Sequence, residues 1–148
     1  MVFERLTMET TSPVWQTPFV IFCGTKNFFN PNRQKSTGDI PELVRRWVKS
    51  RASQWPLDVQ NKPIAVSWSK GPVLIQHPDV ETQAPVEGFM LYASFPAKDD
   101  FAMKEIYFLC EKLLLHFGQI SLELHASMQR YYISRNGVWK SSGSLPRR

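Results

Sequence analysis

Ser121, Glu123 and His125 are the residues of this chain whose types and spacing could do chemistry. They alternate with Ile120, Leu122, Leu124 and Ala126, polar at odd positions and apolar at even ones. That period of two marks a strand with one face on a core, and it sends the three polar side chains to the other face. Residues two apart on a strand stand about 6.6 Å apart along it, so the side chains can lean together. Glu123 could then orient His125 as a general base. Arg130 or Tyr132 on the next strand would stabilise an anion, a constellation suited to phosphodiester cleavage. The plainer interpretation is a polar sheet face, because alternation demands polar residues there. It ranks first, so Glu123 and His125 stand as secondary catalytic candidates.

Other chemistry is thinly represented. Asp99 and Asp100 could be imagined as metal ligands, but helix capping accounts for them. The three histidines, His77, His116 and His125, do not cluster. There is no glycine-rich nucleotide motif, zinc-protease motif, nucleophile elbow or calcium loop, so no metal and no cofactor are expected. Cys23 falls in an apolar run and Cys110 in an apolar helix, as buried free thiols do. No disulfide framework argues for secretion.

Charge points towards binding instead. The 148 residues carry a net charge of +5. Residues 21–70 hold nine basic and three acidic side chains, residues 71–128 three basic and eight acidic, and residues 124–148 no acid at all. Two basic blocks flanking an acidic one favour an anionic partner. Lys26, Arg33, Lys35, Arg45, Arg46 and Lys49 would form one nucleic-acid-binding surface. Arg130, Tyr132, Arg135 and Lys140 would form another, with cations beside an aromatic face.

The elements that must position these residues follow from pattern. Residues 1–17 read as an irregular entry, and Phe19–Cys23 is a continuous apolar run of central-strand type. Thr25 to Gly38 is a long polar loop carrying Phe28 and Phe29, either a basic binding loop or a loop anchored by its phenylalanines. Asp39 and Glu42 suggest a capped helix with a stripe of Ile40, Leu43, Val44, Trp47 and Val48, ending near Pro56. Two strands at 63–68 and 73–77 would be joined by a turn at Ser69–Pro72, and residues 78–88 read as an acidic loop. A strand over 88–95 precedes a second helix that opens at Asp99–Asp100 and ends at Gly118. Its apolar stripe is wider than a surface helix needs, as if buried on two sides or against a second chain.

The strand at 120–126 and a terminal hairpin with an Asn-Gly turn complete one α+β domain over residues 1–140, with a basic tail over 141–148. The architecture expected is a two-layer sandwich, a mostly antiparallel sheet with two helices on one face. Its order is β-α-β-β-β-α-β-β, including a βαβ unit around the second helix, and a ferredoxin-like variant fits it. The residues between Met1 and Thr11 show no signal peptide, and no apolar stretch reaches membrane-span length, so a soluble cytoplasmic protein is expected. In function, a non-enzymatic binding or regulatory protein contacting nucleic acid or another polyanion ranks first. A protein-interaction module, such as an inhibitor, immunity protein, assembly subunit or homodimer, follows. A small ribonuclease-like hydrolase comes third.

Overall fold

The computed structural model describes residues 16–75, 84–135 and 137–141. The expected entry arm, most of the acidic loop, Asn136 of the terminal turn and the basic tail lie outside the described residues.

Strand β1 (Thr17–Gly24) is the apolar run, and it sits inside a six-stranded sheet of order β2-β3-β1-β4-β5-β6. The other strands are β2 (Val66–Val73), β3 (Val86–Phe95), β4 (Ser121–Ala126), β5 (Gln129–Ser134) and β6 (Gly137–Ser141). Every neighbouring pair is antiparallel. Since β3 and β4 both run against β1, they run parallel to each other with β1 between them. Helix α3 (Asp99–Phe117) links them, which makes the expected βαβ unit a split one. Helix α1 (Ile40–Arg51) links β1 to β2 in the same way around β3, with a single helical turn, α2 (Leu57–Gln60), on the return path. This is the ferredoxin-like order with β5 and β6 added at one edge.

The expected hairpin before β3 does not form. Ser69–Pro72 is part of one strand, β2, with Gly71 opposite Gly88 and Pro72 opposite Glu87. A strand tolerates proline where the missing N–H faces no partner, and β2 is the sheet edge. The strand lost there is balanced by a third strand after α3.

The core lies between one sheet face and the helices. Phe19, Ile21, Phe89, Leu91, Phe95, Leu122 and Leu124 are buried from the sheet, and Trp47, Ile106, Leu109, Leu113 and Phe117 from the helices. The rings of Trp47, Trp55 and Phe95 meet one another at 5.0–6.2 Å. The α1 stripe is as expected, with Ile40, Leu43 and Trp47 fully covered. Its start is not. The Asp39 carboxylate makes no cap and instead meets His116 Nε2 at 2.9 Å, while Glu42 pairs with Arg45 and Arg46. Ser36 caps the preceding turn by accepting from the Gly38 amide at 2.9 Å.

The width of the α3 stripe has an intramolecular cause. One side of α3 meets the sheet and another meets α1, where Trp47 Nε1 donates to the Glu105 carbonyl at 2.9 Å. Arg51 grips the buried Glu105 carboxylate through two bonds of 2.8 and 3.0 Å and lies 3.8 Å over the Phe108 ring. Leu115, at the outer edge of the stripe, stays 65% exposed. Gly118 ends α3 with φ +61°, the left-handed C′ position, and a side chain there would strike Asn27. Asn27 in turn accepts from the Phe29 and Asn30 amides, and the Phe28 amide donates to the Gly118 carbonyl at 2.8 Å, which fastens the loop after β1 to the end of α3. The Phe28 and Phe29 side chains do not anchor it. Both are 61% exposed.

Candidate functional site

The sheet face opposite the helices is set by the same alternation that builds the core. Leu122, Leu124 and Ala126 point inward, so Ser121, Glu123 and His125 share the open face. Register brings other strands to them. Glu123 lies between Phe22 of β1 and Tyr132 of β5, and His125 lies between Val20 and Arg130. Met90 and Ser69 extend the Glu123 row to the β2 edge.

Glu123 and His125 meet directly, with the carboxylate Oε2 against imidazole Nε2. The Phe22 ring packs edge-on against the imidazole at 5.1 Å. Arg130 Nη1 stands 3.8 Å from the same carboxylate oxygen, a loose ion pair. The carboxylate side chain is only 8% exposed, whereas the imidazole is 39% exposed. The Tyr132 phenol is held above its ordinary range by burial and by the Glu123 charge, against the opposing pull of Arg130. A cleft of about 260 Å³ opens above the pair, walled by Phe22, Ser69, Met90 and the Lys70–Leu74 segment.

A carboxylate accepts only, so the imidazole donates through Nε2–H. The lone pair then sits on Nδ1. The arrangement is a buried anion that orients an exposed base. Ser121 lies opposite Ser134, on the far side of Glu123 from His125.

The basic residues do not gather into one surface. Arg45, Arg46 and Lys49 lie on α1, in the helical layer, and Arg130 lies on the open face, so the sheet separates them. Arg45 and Arg46 turn to Glu42 at 2.5 and 3.3 Å. Arg135 serves the fold, donating to the carbonyls of Gln119 and Leu114 at the end of α3 and covering the Phe29 ring at 4.6 Å. Lys26 bridges to Gln34 within its loop, Arg33 closes a turn by donating its amide to Asn30, and Lys35 borders a separate cavity. The Lys140 side chain lies outside the described residues. Tyr132 is 4% exposed and offers no stacking face.

Phe22, Ser69 and Met90 of the cleft wall were not singled out from sequence. Phe22 was absorbed into the apolar run of β1, and Ser69–Pro72 into a turn. The register of β3 on β1 brings Met90 into the Glu123 row, and that of β2 on β3 brings Ser69. Among the described residues, no group of three His, Cys, Asp or Glu side chains could hold a metal ion. No helix among them is long and apolar enough to cross a membrane.

No protein-family model and no curated protein matches this chain. Among solved structures it is similar to a phage SAM lyase in complex with S-methyl-5'-thioadenosine, at 14% identity and a TM-score of 0.49, covering 87% of this chain and 91% of that one. It is also similar to a phage SAM lyase in the apo state, at 12% identity and a TM-score of 0.47, covering 90% and 94%. At this distance no residue role is carried across.

Both similar structures are of an enzyme, whereas the expectation from charge was a non-enzymatic nucleic-acid-binding or regulatory protein. The cations named from sequence fall on both sides of the sheet, since Arg45, Arg46 and Lys49 lie on α1 and Arg130 on the open face. The apolar helix on which the interaction-module reading rested meets α1 and the sheet, while its Leu115 stays 65% exposed.

Proposed function

We propose that this chain is a small-molecule enzyme that uses His125 as a general base in the cleft on the open sheet face. The carrying observation is the contact of buried Glu123 with exposed His125 beneath a cleft of about 260 Å³. Glu123 positions the ring and stabilises the imidazolium formed when Nδ1 accepts a proton from a bound molecule. Phe22 and Met90 supply apolar contact for the substrate body, and Ser69 a hydroxyl. The anionic floor favours a substrate that is cationic, or becomes so as its proton departs. Arg130 limits the net charge of that floor.

SAM and S-methyl-5'-thioadenosine are the first molecules to offer. The test is consumption of SAM by the purified chain and by His125→Ala and Glu123→Gln, with binding of S-methyl-5'-thioadenosine followed in parallel. Removal of a general base lowers turnover by about 10²–10⁴-fold, with ligand binding largely kept. Turnover untouched in His125→Ala excludes this role for the cleft.

A further inference from the structure

A second cavity, of about 540 Å³, lies where the loop after β1 meets the ends of β2 and β3. Its lining includes Lys35, Lys70, Glu87 and the hydroxyls of Thr25, Ser36 and Thr37. Gln34 Nε2 holds the Glu87 carboxylate at 3.0 Å, a neutral donor that leaves both lysines uncommitted. Among the described residues neither lysine has a carboxylate within ion-pair distance, and the described lining holds two lysines against Glu87.

Gly71 adds an independent observation. Glycine inside a strand weakens it, and is retained where a neighbour or a ligand approaches the backbone closely. Gly88 has such a neighbour, since a Cβ there would lie 2.3 Å from the Cys23 carbonyl oxygen. Gly71 has none within 4 Å, and it lines this cavity as well as the Glu123–His125 cleft. No packing requires glycine at that position.

We propose that this cavity binds a small organic anion, a carboxylate or phosphate ester. Its charged group sits between Lys35 and Lys70, and its body lies along Gly71 and the Ser36 and Thr37 hydroxyls. The volume falls within the usual range for small-ligand pockets, about 300–1,000 Å³. This site is distinct from the Glu123–His125 cleft, although Lys70–Pro72 borders both.

The experiment is a backbone amide NMR titration of the full chain at constant ionic strength. The probes are inorganic phosphate, citrate and adenosine 5'-monophosphate. Saturable shifts at Lys35, Ser36, Thr37 and Gly71 are expected, and the probe that saturates first separates a phosphate ligand from a carboxylate one. Lys35→Met and Lys70→Met should each weaken binding about tenfold, the loss of one charge-assisted contact. Gly71→Val should weaken it while the rest of the spectrum stays folded. His125→Ala should leave it unchanged, so this site and the proposed base fail separately. No saturable shift with any probe overturns the proposal. So does equal weakening by Lys26→Met, or tighter binding of a single-stranded oligonucleotide with shifts that spread to Arg130.

Discussion

Glu105 and Glu123 are both buried carboxylates, 1% and 6% exposed, on opposite sides of one sheet. Glu105 faces the helical layer and meets the planar fork of Arg51 through two bonds. Burial, the largest single influence, would raise its pKa, but Arg51, with smaller contributions from Trp55 and Lys104, holds it below the ordinary carboxylate range. A guanidinium never releases its proton near neutrality, so the pair is fixed in one state. Glu123 meets an imidazole, which can gain and lose a proton, and only a distant guanidinium. The difference lies in the partner. A permanent cation makes a buried carboxylate part of the scaffold, whereas a titratable partner at a solvent cleft makes it part of a site.

Exchanging the roles of the two carboxylates should separate stability from activity. The largest effect expected is on turnover: Glu123→Gln or His125→Ala lowers it by about 10³-fold while the melting temperature changes little. Thermal unfolding of the same variants checks the second half. Next comes Arg51→Ala, which strands the Glu105 charge in the core and should lower Tm by about 10 °C, with turnover kept at temperatures where the fold survives.

Acid sharpens the contrast. A carboxylate whose folded pKa is lowered contributes stability above its unfolded value, about 4.3, and that contribution fades as pH falls through the folded value. Wild-type Tm should therefore drop below about pH 4.5, and Glu105→Gln should flatten that limb. Melting curves from pH 3 to 7 read this. Smaller still is the effect of Arg46→Ala, which removes an exposed pair with Glu42 and should leave Tm unchanged within error. Cys23 and Cys110 should resist thiol reagents until the chain unfolds, because burial pushes both thiols up.

Local pattern made much of this legible. The alternation over 120–126 placed Glu123 and His125 on one face, and the stripes of α1 and α3 located the core. Signals read as isolated residue preferences failed more often. Asp39 has the type of a helix cap, yet His116, 77 residues away, takes its carboxylate. Gly71-Pro72 has the type of a turn, yet the edge of a sheet keeps it extended. A run of cations suggested a polyanion surface, but charge along a sequence carries no information about which side of a sheet each cation will occupy.

By itself, then, the sequence determined periodicity, and with it the two-layer α+β class and the shared face of Glu123 and His125, because side-chain direction in a strand or helix depends only on local backbone geometry. The tertiary structure decided what those residues meet. Strand order brought Phe22, Met90, Arg130 and Tyr132 around Glu123, and the packing of α1 on α3 gave Glu105 its guanidinium. These contacts join residues far apart in the chain, and the free energy that selects them comes from burying a whole sheet face at once.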